Sequence, residues 1–164
     1  MALIIIIMGV SGCGKTTIGR ELSTKLDIPF YDGDDFHPQS NIDKMKNNEA
    51  LNDEDRLPWL QNISSKIQNW KKGKGAIIAC SALKESYREI LNRSVENIQW
   101  TILNGDFNLI LNRINQRKNH FMKSELLQSQ FETLELPSYG IYVDVSKDID
   151  EIIEEITLKI KTDE

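Results

Sequence analysis

Gly9, Val10, Ser11, Gly12, Cys13, Gly14, Lys15 and Thr16 follow the spacing G-x-x-x-x-G-K-T, the pattern of a loop that cradles phosphate. Glycines let the backbone curl until successive N–H groups point inward, and the start of a following helix adds partial positive charge. Lys15 then reaches the β- and γ-phosphates of ATP, and the Thr16 hydroxyl is the expected magnesium ligand. Thr17 joins the nucleotide contacts. It also excludes the rival dinucleotide fingerprint G-x-G-x-x-G, whose last glycine it replaces. Cys13 reads as a small residue that fits the turn rather than as a reactive thiol.

Outside the loop, Asn-Lys-x-Asp and Asp-x-x-Gly are both missing from the sequence, which argues against a guanine-nucleotide switch. Asp32-Gly33-Asp34-Asp35-Phe36-His37-Pro38 follows a short predicted strand. Carboxylates there face the crevice in which open α/β sheets bind ligands. If that strand lies beside the first, Asp32 and Asp34 point the same way by the period of two. Asp32 is assigned to the metal's water shell, and Asp34 to an acceptor hydroxyl as base or orienting group.

These groups need a scaffold. Leu3 to Ile7 is a β-branched-rich run suited to a strand covered on both faces. It is too short to span a bilayer and has neither the basic flank nor the cleavage site of a signal peptide. Helices are predicted over Thr16 to Leu26, Leu83 to Leu91, Asp106 to Ile114, Ser124 to Leu134 and Asp150 to Ile160. Further strands are predicted over Pro29 to Asp32, Ala76 to Cys80, Ile98 to Leu103 and Gly140 to Val145. Between Asp35 and Trp70, Pro38 and Pro58 interrupt a polar helical pattern, suggesting two helices that project from the sheet. Strands alternating with helices imply an α/β fold with a five-stranded parallel sheet and right-handed crossovers.

At 164 residues the chain is one domain's worth, 1–164, able to bury a core without a metal or disulfide staple. Cys13 and Cys80 lack metal-site spacing and read as reduced thiols in a cytoplasmic protein. The net charge of −5 argues against nucleic-acid binding. That charge is local: residues 144–164 carry eight acids and three lysines, so the rest of the chain is neutral. Residues 113–123 are basic, with Arg113, Arg117, Lys118 and Lys123 and no acid. Arg113 and Arg117 stand one helical turn apart and can reach one target.

The chain resembles the gluconate kinase family, P-loop phosphotransferases related in fold to shikimate and nucleoside monophosphate kinases. The resemblance rests on MGVSGCGKTT (8–17), YDGDDFHPQSNIDKM (31–45), LNDEDRLPWL (51–60), ACSALKESYREIL (79–91), GDF (105–107) and RKNHFMKSELLQSQFETLELP (117–137). It implies a three-layer P-loop fold with an acceptor-binding helical segment at about 35–72 and a lid at about 113–124. The implied activity is transfer from MgATP to the 6-hydroxyl of D-gluconate, in a cytoplasmic protein, with a homodimer as the implied assembly.

Gluconate offers one carboxylate and five hydroxyls. Within the resemblance, Arg56 is expected on the carboxylate, since guanidinium binds it bidentately, with Lys84 as a second cation. His37, His120 and Gln130 would serve the hydroxyls, and Arg117 with Arg113 would close on the phosphates. Asn119 stands where the family usually has glycine. Asp144 to Lys147 is where related folds pass the base. The alternatives left open are a kinase for another small polar acid and a non-catalytic nucleotide-binding sensor.

Overall fold

A computed structural model describes residues 2–116 and 124–162. Its elements run β1 (Ile4–Met8), α1 (Lys15–Leu26), β2 (Phe30–Asp32), a 3-10 turn (Gly33–Phe36), α2 (Gln39–Lys46), α3 (Asp53–Lys71) and β3 (Ala76–Ala79). They continue with α4 (Glu85–Asn92), β4 (Gln99–Asn104), α5 (Phe107–Gln116), α6 (Ser124–Thr133), β5 (Ile141–Asp144) and α7 (Ile149–Thr162). The strands form one parallel sheet in the order β2-β3-β1-β4-β5.

All five side chains of β1 are buried, and their alternation splits the core. Ile5 and Ile7 join Ile18 and Leu22 of α1, Ile110 of α5, Leu127 of α6 and Ile152, Ile153 and Ile156 of α7. Ile4, Ile6 and Met8 join Trp59, Leu60, Ile63 and Ile67 of α3 and Tyr87 and Leu91 of α4. Helices therefore cover both faces, the three layers expected of a continuous apolar central strand.

Two expectations change. The second strand does not lie beside the first, because β3 sits between them; Tyr31 pairs with Ile78 and Ile6 pairs with the same residue from the other side. Nor does α3 project from the sheet, since its buried Trp59, Leu60, Ile63 and Ile67 pack onto it. Pro58 lies inside α3 without ending it. Proline removes one backbone donor and frees the carbonyl four residues back, and both Pro58 and Glu54 are exposed, so that carbonyl lies on the solvent face of the helix. A capping box between Asn52 and Asp55 fixes the start of the helix. Lys44 of α2 pairs with Asp55 at 2.8 Å and joins the two helices.

Candidate active site

The phosphate loop joins the end of β1 to α1, as the spacing predicts. Gly12 and Gly14 take φ of 79° and 103°, the left-handed region open to glycine. Gly12 also has no room for a side chain, since a Cβ would stand 2.3 Å from Ile114 of α5. Gly14 is the N-cap of α1 and supplies no side-chain hydrogen bond, so the first-turn amides are available to an anion. Lys15 Nζ donates to the carbonyls of Gly9 and Val10, 2.9 Å each. Cys13 is 1% exposed, which leaves its thiol as packing within the turn. Burial pushes the Cys80 thiol up to about 12.

A cleft of about 210 Å³ opens beside the loop, lined among others by Gly12, Gly14, Thr17, Arg113, Val145 and Lys147. Val145 and Lys147 belong to the stretch expected to pass the base. Arg113, expected on the phosphates, lies among these residues. Arg117 and His120 fall outside the described residues.

At the other side of the loop, the Asp32 and Asp34 turn reaches it across the end of β3. Gly33 is packed so tightly that a Cβ would lie 2.5 Å from the Ala79 carbonyl, and the Gly9 amide meets the Ser81 carbonyl at 3.4 Å. The period-two argument does not apply, because residues 33–36 form a 3-10 turn. Asp32 caps that turn instead, its Oδ1 accepting the Asp34 amide at 3.0 Å. Lys15 acts electrostatically on both carboxylates.

The two acids are tuned in opposite directions. Burial raises the Asp32 pKa above its ordinary value, whereas the neighbouring His37 holds Asp34 below it. His37 is buried and stacked on Trp59 with ring centroids 4.2 Å apart. Trp59 Nε1 donates to the Gly33 carbonyl at 2.7 Å. Asn41 spends one amide hydrogen on His37 Nδ1 at 3.1 Å and another on the Asp55 carbonyl at 2.9 Å. His37 thus sets Asp34 in place. Its 3% exposed side chain, beside 79% for Asp34, leaves the carboxylate as the group open to a ligand.

Arg56 and Lys84 converge on Tyr87. Arg56 Nη1 lies 2.7 Å from the Leu51 carbonyl and 3.2 Å from the Tyr87 hydroxyl, and its guanidinium sits 5.4 Å from the Tyr87 ring centroid. No carboxylate among the described residues is within ion-pair range of Arg56. Lys84 is already paired with Asp53 at 3.2 Å, so it is not a second unengaged cation. Tyr87 also donates to Asp53, and that hydrogen bond, followed by Lys84, holds the Asp53 carboxyl below the usual range. Asp53 and Tyr87 are the members of this cluster that sequence reasoning missed, although both stand inside quoted blocks.

Gln130 is placed away from the acceptor side. Its Oε1 accepts the Ser11 amide at 2.7 Å and its Nε2 meets Ser11 Oγ at 2.9 Å, so both ends of the amide serve the phosphate loop. Gln130, expected on a substrate hydroxyl, is thus placed by α6 beside the phosphate loop.

For magnesium, the residues present offer hard oxygen donors, the Thr16 hydroxyl and the Asp32 carboxylate. An ion that keeps several waters and takes its remaining ligands from phosphates fits such a sparse set. Among the described residues no cluster of three or more His, Cys, Asp or Glu forms an all-protein metal site, and no helix is long and apolar enough to cross a membrane.

The family profile described as shikimate kinase matches residues 11–162. The chain is 43% identical over 155 residues to the thermosensitive gluconokinase of Escherichia coli K12, covering 92% of this chain and 83% of that one. It is 39% identical over 156 residues to the gluconokinase of Gluconobacter oxydans 621H, covering 93% and 88%. The crystal structure of a gluconokinase from Sinorhizobium meliloti 1021 matches with a TM-score of 0.90 at 36% identity, over 98% of this chain and 92% of that one. Shikimate kinase from Aquifex aeolicus, at 18% identity and a TM-score of 0.60 over 98% of each chain, shares the fold. With its phosphate loop, five-stranded parallel sheet and paired acids, the chain belongs to the shikimate kinase family of P-loop kinases, among the gluconokinases.

Proposed function

We propose that this chain is a gluconokinase, transferring the γ-phosphoryl group of ATP to the 6-hydroxyl of D-gluconate. The observation that carries the reading is the juxtaposition of the phosphate loop with the Asp32 and Asp34 turn, flanked by an Arg56 guanidinium that has no carboxylate partner among the described residues. Relatives at about 40% identity named gluconokinase support the substrate.

In this reading the acceptor carboxylate takes Arg56, with Tyr87 and the Lys84–Asp53 pair bounding the site, and His37 serves its hydroxyls through Asp34, which it holds in place. Arg56 in that role exchanges its Leu51 and Tyr87 contacts for a charge-assisted pair. Asp34, kept ionised by His37, accepts the hydrogen bond of the 6-hydroxyl and aims its oxygen at the γ-phosphorus. The new O–P bond forms in line as the bond to the ADP oxygen breaks, and the hydroxyl proton leaves toward Asp34. A low carboxyl pKa suits this duty, because a loose transition state asks for orientation more than for early proton removal.

Lys15 leaves the Gly9 and Val10 carbonyls for the β- and γ-phosphates. Thr16 and Asp32 would hold magnesium, which supplies charge neutralisation on the phosphates when bound. Desolvation already disfavours a lone charge on Asp32, so a cation there relieves it. Arg117 belongs, by resemblance, to the groups that neutralise the transferring phosphoryl, and His120 to the hydroxyl contacts. The base enters the cleft beside Arg113, Val145 and Lys147. The protein works in the cytoplasm, and the implied homodimer is checked by light scattering.

The test is a coupled assay of the purified chain with ATP, magnesium and a panel of aldonic and sugar acids. Gluconate-dependent ADP release is the expected result. Turnover with a different acid and none with gluconate would replace the substrate, and ATP binding without any turnover would favour a sensor.

A further inference from the structure

The residues on either side of the 117–123 segment grip adjacent positions of the phosphate loop. On one side Ile114 of α5 fills the space at Gly12 that a Cβ would need. On the other, Gln130 of α6 holds the amide and the hydroxyl of Ser11. Ser11 sits between Gly9 and Gly12, both at positive φ, conformations open to glycine. Helix α6 is well anchored. Its Leu127 is fully buried, and Phe131, the residue after Gln130, meets Phe107 of α5 edge to face at 5.7 Å. A well-anchored helix therefore holds a loop residue through two hydrogen bonds.

We propose that Gln130 is a positioning residue for phosphoryl transfer, fixing Ser11 so that the loop presents the γ-phosphate in line with the acceptor. The geometry is well suited to an amide. Oε1 can only accept and Nε2 can only donate, so the pair of bonds to Ser11 sets the amide's orientation as well as its place. Near-attack geometry is steep in rate, a misplacement of ~1 Å costing about 100-fold. Acceptor binding, on the far side of β3, is untouched by this contact.

The proposal rests on the kinase reading, so wild-type turnover is established first, with whichever acid of the panel is phosphorylated as acceptor. Q130L removes both bonds, and Q130N keeps the amide but falls one methylene short. Each is expected to lower kcat between about tenfold and 100-fold while the acceptor KM stays within about twofold. Adding S11A to Q130L should change kcat by less than about twofold, because the lost hydroxyl contact is already gone. In ligand-free protein the Ser11 amide should exchange its hydrogen about tenfold faster in Q130L, a readout that needs no turnover. A raised acceptor KM with kcat kept would make Gln130 an acceptor contact and overturn the proposal. Unchanged kcat in Q130N, independent losses with S11A, or unchanged Ser11 exchange would each overturn it as well.

Discussion

The His37 imidazole faces Asp34 with Nε2 3.6 Å from Oδ1, while Asn41 donates to its Nδ1. The Asn41 donor requires Nδ1 to accept, so the ring hydrogen is on Nε2 and points at the carboxylate. One histidine thus converts a helix contact of Asn41 into a lowered pKa at an exposed acid.

Replacing His37 by leucine removes that donor and returns the Asp34 pKa toward its ordinary 3.8. The sign for stability follows. A carboxyl with a depressed folded pKa stabilises the fold above the unfolded value and loses that contribution as pH falls through the folded one. The melting difference between wild type and H37L is therefore expected to narrow below about pH 3.8. A carbon-13 titration of Asp34 that is identical in both proteins would remove His37 from this role.

Asp32 and Asp34 should respond differently to loss of charge. Asp34→Asn is expected to lower kcat by about 100-fold or more with ATP affinity kept. Asp32→Asn should instead raise the magnesium requirement, since the cation loses the carboxylate that burial has left short of solvation. Steady-state kinetics over magnesium and ATP separates the two; equal magnesium dependence in both variants would mean that the roles are misassigned.

These assignments show where sequence suffices. The phosphate loop and β1 were legible because each is contiguous, with a spacing or an apolar run that carries its meaning. The acid pair was legible as a place at the end of a strand, but not by its periodicity, since residues 33–36 form a 3-10 turn. Tertiary pairing was not legible. Tyr87 and Asp53 lie 34 positions apart and meet because α3 packs against α4. Gln130 and Ser11 are 119 apart. The insertion of β3 between β1 and β2 leaves no local signal, since both neighbours of an apolar strand read alike. Pro58 misled for a physical reason, because an exposed helix face tolerates the missing donor.

Arg56 is expected to govern the acceptor alone. Arg56→Ala removes a charge-assisted contact worth about 1.5–3 kcal/mol, which is about 10- to 150-fold in gluconate KM, with ATP binding retained. Tyr87→Phe should give a smaller rise of the same kind, since it deletes the hydroxyl shared by Arg56 and Asp53. Calorimetric titration with ATP and with gluconate separately checks this. A loss confined to ATP would move Arg56 to the nucleotide side.

Arg88 is the fully buried cation of α4, and its role is expected in stability. Its guanidinium reaches Glu85 at 2.8 Å and the carbonyls of Ala82 and Glu135 at 2.6 Å each, tying α4 to the ends of β3 and α6. The Ala82 carbonyl is fully buried, so deleting its donor leaves a polar group buried and unpaired. Arg88→Met keeps the volume and loses the donors, and an unsatisfied buried carbonyl costs about 1–3 kcal/mol. A domain of this size then melts about 2–12 °C lower. The Glu135 contact holds the loop that carries Lys84, so the variant should also raise gluconate KM at temperatures below its melting point. A variant that melts like wild type would show that solvent or repacking satisfies these carbonyls, and that Arg88 does not hold the segment.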